Sequence, residues 1–351
     1  MLKDVCAINM GQSPDSDSYN DNGEGVPFFQ GNADFGERYP VTRKWCSAPT
    51  KMAVPEDILI SVRAPIGAVN YAREECCIGR GLAALTPDKT KVSPEFIFWL
   101  LKGKNDELNS KGTGSTFKAI GRKVLEETKV PNIPLEKQLE CSEILEKVYA
   151  VIQHRKSELQ MLDDLIKARF VEQFGDPRSN PYGFSKKLLK DTCKVVTGNT
   201  PSRSVEAYYG DYVEWIKTDN IVSGLLNPTK ASEKLSEEGM KVGRTVGKDS
   251  ILMACIAGSI ASIGRICVTD RTVAFNQQIN AVVPEDYNIL FLYVLLQLSK
   301  EYLVEEINMA LKGILSKSKL EEKEFIVPPM ELQNQFADFV KQVDKSKVAV
   351  M

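Results

Sequence analysis

A long run of residues without glycine or proline, between Pro134 and Gly175, most constrains how this chain can fold. The run predicts one continuous helix, because the residues that interrupt helices are missing from it. At about 1.5 Å per residue, this helix would be roughly 60 Å long. Apolar side chains recur along it in alternating steps of three and four, at Cys141, Leu145, Val148, Ile152, Leu159, Leu162 and Ile166. Such a narrow stripe is typical of a coiled-coil seam, so we predict a rod that packs against a partner helix.

The residues before the predicted helix resemble those after it, in the same order along the chain. The matching segments are Leu2–Cys6 with Leu189–Cys193, Gly11–Pro14 with Gly198–Pro201, Val26–Gln30 with Val213–Lys217, Asp57–Ile60 with Ser250–Met253, Leu82–Pro87 with Ile279–Pro284, and Phe96–Leu101 with Phe291–Leu296. We also match Leu135–Gln138 with Leu332–Gln335, which opens a second helix. The repeat indicates two domains of one design.

We therefore predict an α+β fold in which two similar globular domains are separated by long helices that form an antiparallel coiled coil with pseudo-two-fold symmetry. The predicted divisions are 1–133 for the first domain, 134–175 for the central helix, 176–329 for the second domain and 330–351 for a shortened C-terminal helix. The seam of this last helix would comprise Leu332, Phe336, Phe339 and Val343. Because it is the shorter helix, we expect residues 159–174 of the central helix to lack a partner within the chain.

Few catalytic chemistries are open to this sequence. Its one histidine, His154, lies in the predicted helix, which excludes catalytic triads and zinc sites that need histidine. No phosphate-binding P-loop pattern occurs, and we predict no catalytic or metal-binding residues. The eight cysteines show no Cys-x-x-Cys spacing, which favours reduced thiols in the cytoplasm. The apolar runs are too short to span a membrane.

Two basic stretches stand out in a chain whose net charge is only −2. Residues 108–125 and 307–320 occupy matching places in the repeat and contain no acidic residue. Their lysines, hydroxyl groups and glycines suit contacts with phosphate groups. The candidate phosphate contacts are Lys111, Thr113, Ser115, Thr116, Lys118, Lys312, Ser316 and Lys317.

Side chains that can read DNA bases need paired hydrogen-bond donors and acceptors. Predicted loops of the first domain offer Gln12, Gln30, Asn32, Arg63 and Arg80, and those of the second offer Asn199, Arg203, Lys217, Asn220, Asn276, Gln277 and Gln278. Corresponding loops keep their flanking sequence but differ in these side chains. This pattern predicts two binding modules that read different sequences.

The chain resembles the DNA-specificity subunits of Type I restriction-modification systems over nearly its whole length. The resemblance is carried by the repeated Leu-Lys-Asp-x-Cys and Gly-x-[Ser/Thr]-Pro openings and by the segments Trp215–Ile221, Pro134–Gln138 and Phe170–Asp176. It implies two target recognition domains that each read one half of a split double-stranded DNA site. It also implies that the helices set the gap between the halves and bind two methyltransferase subunits. Motor-nuclease subunits would join this assembly for cleavage.

The resemblance implies that this chain itself is not an enzyme and binds no cofactor, because S-adenosylmethionine, ATP and magnesium belong to the partner subunits. The shortened C-terminal helix departs from the family pattern, so a second copy or another chain would complete the helical bundle. Two other interpretations stay open at this point. One is a coiled-coil scaffold that binds only proteins, and the other is a nuclease or methyltransferase whose active site is unrecognised.

Overall fold

The computed structural model describes residues 1–114, 118–308 and 313–350. The chain forms two compact units, here called unit 1 (Met1–Gln153) and unit 2 (from His154 onward). Both contain sheets and helices, as expected for an α+β fold. None of the helices in these described ranges is long and apolar enough to cross a membrane.

Unit 1 consists of short strands followed by helices. Its strands are β1 (Cys6–Met10), β2 (Tyr19–Asn20), β3 (Val26–Phe29), β4 (Trp45–Cys46), β5 (Met52–Ala53), β6 (Ile58–Ser61), β7 (Val69–Tyr71), β8 (Cys76–Ile78) and β9 (Leu82–Pro87). Its helices are α1 (Pro94–Gly103), α2 (Asn105–Ser110) and α3 (Arg122–Glu126), followed by the long helix α4 (Leu135–Phe174), which continues into unit 2. The strands form two sheets, ordered β1-β9-β6-β7 and β2-β4-β3-β8-β5.

Unit 2 repeats this plan with additional strand pairs. Its strands are β10 (Lys186–Leu188), β11 (Cys193–Thr197), β12 (Tyr209–Ile216), β13 (Lys234–Leu235), β14 (Thr245–Val246), β15 (Ile251–Ala254), β16 (Ile256–Ala257), β17 (Ile266–Val268), β18 (Val273–Phe275), β19 (Ile279–Pro284), β20 (Gly313–Ile314) and β21 (Glu324–Ile326). Its helices are α5 (Glu237–Val242), α6 (Ile289–Leu298), α7 (Lys300–Val304), α8 (Lys317–Glu321) and α9 (Met330–Val350). Its larger sheets are ordered β11-β19-β15-β17 and β13-β12-β18-β14, and β10-β21 and β16-β20 form separate pairs.

The sequence repeat is also a repeat of strand pairing. Strand β1 pairs antiparallel with β9 from Cys6 opposite Pro87, and β11 pairs with β19 from Cys193 opposite Pro284. In each unit the second sheet contains a parallel pair, β3 with β8 and β12 with β18. Both faces of the central strand β6 are buried, because Ile58 and Ile60 enter one core cluster of unit 1 and Leu59 enters a second one.

A buried glutamine joins each domain to the helix that follows it. Gln138 near the start of α4 is 4% exposed and Gln333 near the start of α9 is 1% exposed. Gln138 Oε1 accepts a hydrogen bond from the backbone N–H of Ser93 (3.0 Å), and its Nε2 donates to the carbonyl of Ile133 (2.9 Å). Ser93 in turn caps the N-terminus of α1.

Gln333 makes the same two contacts in unit 2. Its Oε1 accepts from the backbone N–H of Asn288 (2.9 Å), the N-cap residue of α6, and its Nε2 donates to the carbonyl of Pro328 (2.8 Å). The sequence match of Gln138 with Gln335 was therefore wrong by two residues. Pro329–Gln333 corresponds to Pro134–Gln138, and Gln335 is exposed.

We expect Gln333→Leu to lower the free energy of unfolding of unit 2 by about 2–4 kcal/mol, because a buried N–H and a buried carbonyl lose their partners. Gln335→Leu is the matched control, and we expect it to change stability by less than about 0.5 kcal/mol, as is usual for surface positions. Denaturant titration of both variants measures the difference. Equal effects would contradict the assigned role of Gln333.

Helix α9 packs antiparallel to the end of α4 within unit 2. Lys347, near the end of α9, forms ion pairs with Asp163 of α4 (2.7 Å) and with Asp344 (3.0 Å). Near the start of α9, Phe336 packs edge-on against Phe170 and Phe174, with ring centroids 5.4 and 5.7 Å away. The expectation that residues 159–174 lack a partner was therefore wrong, because α9 packs beside this end of α4.

The predicted seam residues fall into two groups. In unit 2, Ile166, Phe336 and Val343 are buried in the main core cluster, and Leu162, Leu332 and Phe339 pack against it. Leu159 is half-buried. In unit 1, Leu145, Val148 and Ile152 are 42%, 50% and 45% exposed. The stripe is thus covered at one end of α4 and open to solvent at the other.

Candidate nucleic-acid interface

Three loops of unit 1 meet at one edge of its second sheet. Strands β3 and β8 are parallel, so the loops that follow them, with Gln30 and Arg80, leave the sheet on the same side. The loop after β1 joins them, because the backbone N–H groups of Gly11 and Gln12 donate to the carbonyls of Leu82 (2.9 Å) and Ile78 (3.0 Å). This edge brings together several of the residues predicted to read bases.

The close approach of the loop after β1 explains the first glycine of the repeated Gly-x-[Ser/Thr]-Pro motif. A Cβ atom on Gly11 would lie 2.2 Å from the carbonyl oxygen of Gly79, and one on Gly198 would lie 2.1 Å from that of Asn276. Any larger residue would push the loop off the sheet edge. Both units therefore build their loop cluster on the same backbone contact.

In unit 1 the cluster is organised by the Ser13 hydroxyl. Ser13 Oγ lies 2.9 Å from Nε2 and 3.3 Å from Oε1 of the Gln30 amide. It also accepts a hydrogen bond from the backbone N–H of Arg80 (3.3 Å). Gln30 and Arg80 are exposed, and among the described residues the Arg80 guanidinium has no ion-pair partner. The predicted residues Gln30 and Arg80 are thus presented together.

The other predicted base contacts of unit 1 lie nearby or in adjacent loops. Gln12 precedes Ser13 and is exposed, and its carbonyl accepts a hydrogen bond from Thr50 (2.7 Å). Asn32 is half-buried in the turn after Gln30. Arg63 is exposed beside Ala119, with which its backbone forms a β-bridge. Their roles in base contact stay predictions.

In unit 2 the equivalent hydroxyl belongs to Thr200, which donates a hydrogen bond to the side-chain carbonyl of Gln277. Gln277 is exposed in the loop after β18. The side chain of Asn199, the residue before Thr200, makes hydrogen bonds within unit 2. Its Nδ2 donates to the carbonyl of Val242 (2.9 Å), and its Oδ1 accepts from the backbone N–H of Arg244 (2.7 Å).

Two of the side chains predicted to contact bases in unit 2 are buried. Asn220 is 9% exposed, and its amide bonds to Lys217 N–H and to Thr229. Asn276 is 7% exposed and its amide bonds to Gln278, both through the backbone N–H and through the side-chain oxygen of that residue. Both asparagines hold loop conformations, so neither presents a free amide edge, and Gln278 is half-buried beside them.

Two predicted cations of unit 2 share one carboxylate. Glu233 forms ion pairs with Lys217 and with Arg203 (2.6 Å to the latter). The lysine and then the arginine hold the pKa of Glu233 below its usual range, so it stays ionised. The Arg203 guanidinium also lies 4.7 Å from the ring centre of Tyr209 and 5.1 Å from that of Trp215. The cluster is locally neutralised and held against an aromatic surface.

Three of the predicted phosphate contacts of unit 1, Lys111, Thr113 and Lys118, are exposed, and Lys111 is paired with an acid. Lys111 pairs with Glu107 (2.6 Å), and the hydrogen bonds from Lys104 and Lys111 hold the pKa of Glu107 at about 2. Thr113 exchanges backbone hydrogen bonds with Ala119, and both Thr113 and Lys118 are exposed. Ser115 and Thr116 lie outside the described residues.

In unit 2, Lys317 pairs with Glu321 (3.4 Å) and Ser316 caps α8 by accepting a hydrogen bond from the N–H of Lys319 (3.3 Å). Lys312 lies outside the described residues. The two stretches are free of acids along the sequence, but helix geometry places acids beside their lysines. Phosphate contact by these residues stays a prediction.

Sequence reasoning missed Ser13, Thr200 and Glu233 as members of the clusters. The repeated Gly-x-[Ser/Thr]-Pro motif was a signal for the two hydroxyls, whereas no local pattern marks Glu233. Within 1–114, 118–308 and 313–350, no group of three or more His, Cys, Asp or Glu residues could hold a metal ion. What the clusters offer is hydrogen bonding and positive charge.

Known proteins resemble this chain over most of its length. A family model described as Type I restriction modification DNA specificity domain matches residues 1–161 and 181–351. The chain is similar to the putative type I restriction enzyme MjaX specificity subunit of Methanocaldococcus jannaschii, with 45% identity over 156 residues. That match covers 44% of this chain but only 37% of the relative's length.

A longer match is to the type I restriction enzyme MjaIX specificity subunit of the same organism, which is 26% identical over 314 residues. It covers 81% of this chain and 70% of that protein. Among solved structures, the S subunit of a Type-I restriction-modification system from M. genitalium superposes with a TM-score of 0.57 at 14% identity. The alignment covers 99% of this chain and 89% of that chain, so the folds are alike.

Proposed function

This chain belongs to the family of Type I restriction-modification DNA specificity proteins, and from that premise we propose that it is a non-catalytic subunit that directs partner enzymes to a bipartite DNA sequence. The repeated loop cluster is the observation that carries the proposal. Both units keep the glycine contact, the hydroxyl and the parallel strand pair, while the exposed loop side chains differ: Gln30 and Arg80 in one, Gln277 in the other. Two domains with different loop side chains are suited to two different half-site sequences.

Affinity would come from phosphate contacts and specificity from base contacts. The lysines and arginines at the loop clusters supply the first, together with Lys111, Lys118 and Lys317 on the neighbouring turns. Because acids such as Glu107 and Glu321 offset part of this charge, binding to random DNA is expected to be weak. Recognition would then depend on the base contacts of both units.

The open stripe on α4 supports docking of methyltransferase subunits. Leu145, Val148 and Ile152 are about half exposed, and so are the neighbouring Ile144 and Val151. A contiguous apolar stripe of this kind marks a protein interface. In the proposed assembly, two methyltransferase subunits carry S-adenosylmethionine, and motor-nuclease subunits carry ATP and magnesium.

Inserting one heptad into α4 after Ser157 tests the proposal that the helix sets the gap between half-sites. Seven residues add about 10 Å of helix, the length of roughly three base pairs. We expect the preferred gap to lengthen by about this amount while both half-site sequences stay the same. Selection of bound sequences from a randomised double-stranded DNA library measures gap and half-sites together.

The matched control places seven residues in the exposed turn at Asn22 and Gly23, where the gap should not change. A heptad insertion that alters the half-site sequences, or leaves the gap unchanged, would contradict the role of α4 as a spacer.

A further inference from the structure

We infer that Arg80 reads a guanine in the half-site recognised by unit 1, and that Ser13 and Gln30 are positioning residues that hold its turn in place. The inference rests on the proposed function and adds to it one specificity-determining residue and the base that it reads. Within the loop cluster of unit 1, Arg80 would contact a base rather than a phosphate, and Gln30 would support the turn rather than contact a base.

The first step is that the amide of Gln30 is already engaged. The hydroxyl of Ser13 lies against both ends of this amide, 2.9 Å from Nε2 and 3.3 Å from Oε1. The paired donor and acceptor that a base contact needs are therefore occupied. The same hydroxyl accepts a hydrogen bond from the backbone N–H of Arg80 (3.3 Å). Ser13 and Gln30 together thus support the turn that carries Arg80.

The second step is that this turn has little conformational freedom. The N–H of Leu82 donates to the carbonyl of Gly79 (3.0 Å), which closes a four-residue turn with Arg80 in its second position. The N–H of Gly81 donates to the carbonyl of Gln30 (3.2 Å). A Cβ atom on Gly79 would lie 2.8 Å from Gln30 Oε1, and one on Gly81 would lie 2.4 Å from the carbonyl oxygen of Gln30. The turn is therefore packed directly on Gln30, and its backbone holds Arg80 in a defined place.

The third step is that the side chain at the tip of the turn is free to bind. Arg80 is exposed, whereas Gly79 and Gly81 on either side of it are buried. Within the described parts of the chain, its guanidinium has neither a carboxylate partner nor a hydrogen-bond partner. Arg203 in unit 2, by contrast, is paired with Glu233. The donors of Arg80 are therefore available without breaking a contact inside the protein.

The fourth step is the choice of base. A guanidinium has several N–H donors in a fixed fork and no acceptor. Guanine presents two acceptors, N7 and O6, in the major groove, whereas adenine and cytosine each present an amino donor there. Thymine offers one acceptor, O4, beside its methyl group. A side chain that can only donate hydrogen bonds is therefore best matched by guanine.

The fifth step favours a base over a phosphate. In unit 2 the equivalent turn is closed by the N–H of Ile279, which donates to the carbonyl of Asn276 (3.1 Å), and Gln277 occupies the place of Arg80. A position used for phosphate contact would be expected to keep a positive charge in both units, and Gln277 has none. Arginine and glutamine share a planar group with N–H donors, which is the chemistry of base contact.

Replacing Arg80 with glutamine, the residue that unit 2 has at the same place, tests the base assignment. The full chain is used with its methyltransferase partners and a double-stranded DNA library in which every base pair is randomised. We expect Arg80→Gln to lower the preference for guanine at one position of one half-site by about tenfold, within the range of a single bidentate contact. Preferences at all other positions should stay unchanged.

Arg43→Gln is the matched control, because it removes the same charge from an exposed arginine of unit 1 that has no ion-pair partner among the described residues. We expect it to change no base preference. The salt dependence of binding to random DNA is measured for both variants. If Arg80→Gln weakens binding to all sequences alike and lowers the salt slope by about one, Arg80 contacts a phosphate and the inference is overturned.

The positioning role of Ser13 has a separate readout. Ser13→Ala should lower the guanine preference at the same position as Arg80→Gln, by about threefold, the effect of losing one neutral hydrogen bond. Ser13→Thr keeps a hydroxyl and should keep the preference. Adding Ser13→Ala to Arg80→Gln should cause no further loss, because the hydroxyl acts only through Arg80. Thermal unfolding checks that unit 1 stays folded, and a loss at a different position would contradict the positioning role.

An unchanged guanine preference in Arg80→Gln would overturn the inference while leaving the proposed function intact. Loss of a preference for another base would overturn the assignment of guanine. If the unmodified assembly selects no bipartite sequence at all, the proposed function fails and the inference fails with it.

Discussion

Replacing Phe336 with alanine is expected to lower the free energy of unfolding of unit 2 by about 3–5 kcal/mol, the usual cost of removing a buried phenylalanine side chain. Phe336 is fully buried on α9. Its ring meets those of Phe170 and Phe174 from α4 and that of Phe291 from α6, with the last centroid 6.3 Å away. All three contacts are edge-on, a favoured geometry for aromatic pairs. The substitution would leave a cavity where three helices meet.

Hydrogen exchange followed by mass spectrometry measures this effect locally, which matters because a chain of two units need not unfold in one step. We expect faster exchange in α9, in α6 and in residues 163–174 of α4, and unchanged exchange in unit 1. Phe339→Ala on the same helix is the matched control, since Phe339 is only partly buried and should cost less. Unchanged protection of α9 in Phe336→Ala would contradict the packing described here.

Placing two glutamates on the open stripe, by Val148→Glu and Ile152→Glu together, is expected to weaken binding of the methyltransferase subunits by 100-fold or more. Central apolar residues of an interface often contribute about 2 kcal/mol each, so losing two of them and burying two charges gives an effect of this size. Both side chains are about half exposed, and glutamate favours helix, so unit 1 should stay folded.

Titration calorimetry with the purified methyltransferase subunit measures this loss. Ala150→Glu with Ser157→Glu adds the same charge at exposed positions away from the stripe and should leave binding unchanged. If both double variants bind equally well, the stripe is not the docking surface. If only the stripe variant loses binding, α4 binds the methyltransferase subunit through a surface that is separate from the loops proposed to read DNA.

The repeated plan of the fold could be predicted from the sequence because buried strands leave strong local patterns. Ile58–Ile60 and Ile251–Met253 are apolar throughout, since both faces of these central strands are covered. The helix from Leu135 to Phe174 could also be predicted from the sequence, because it contains neither glycine nor proline. In both cases the signal lies within a few consecutive residues.

What could not be predicted depends on contacts between distant parts of the chain. The shorter length of α9 says nothing about which end of α4 it covers, and that is decided by the ring cluster around Phe336. Asn220 and Asn276 have the amide groups of base-reading residues, but these amides form hydrogen bonds with neighbouring residues of the protein. Glu233 sits 16 residues from Lys217 in the sequence and still neutralises it. Helix pairs such as Lys317 with Glu321 likewise change the charge of a stretch that looks purely basic.

The matching hydrogen bonds of Gln138 and Gln333 have a consequence for how such a chain can diversify. Each joins a helix start to the cap of the domain's own helix, and none of the four bonds involves the loop clusters around Ser13 and Thr200. The attachment of each domain to its helix therefore does not depend on the loop side chains that differ between the units. Exchanging a domain at these two glutamines would change the proposed base contacts and keep the hydrogen bonds that attach the domain to its helix.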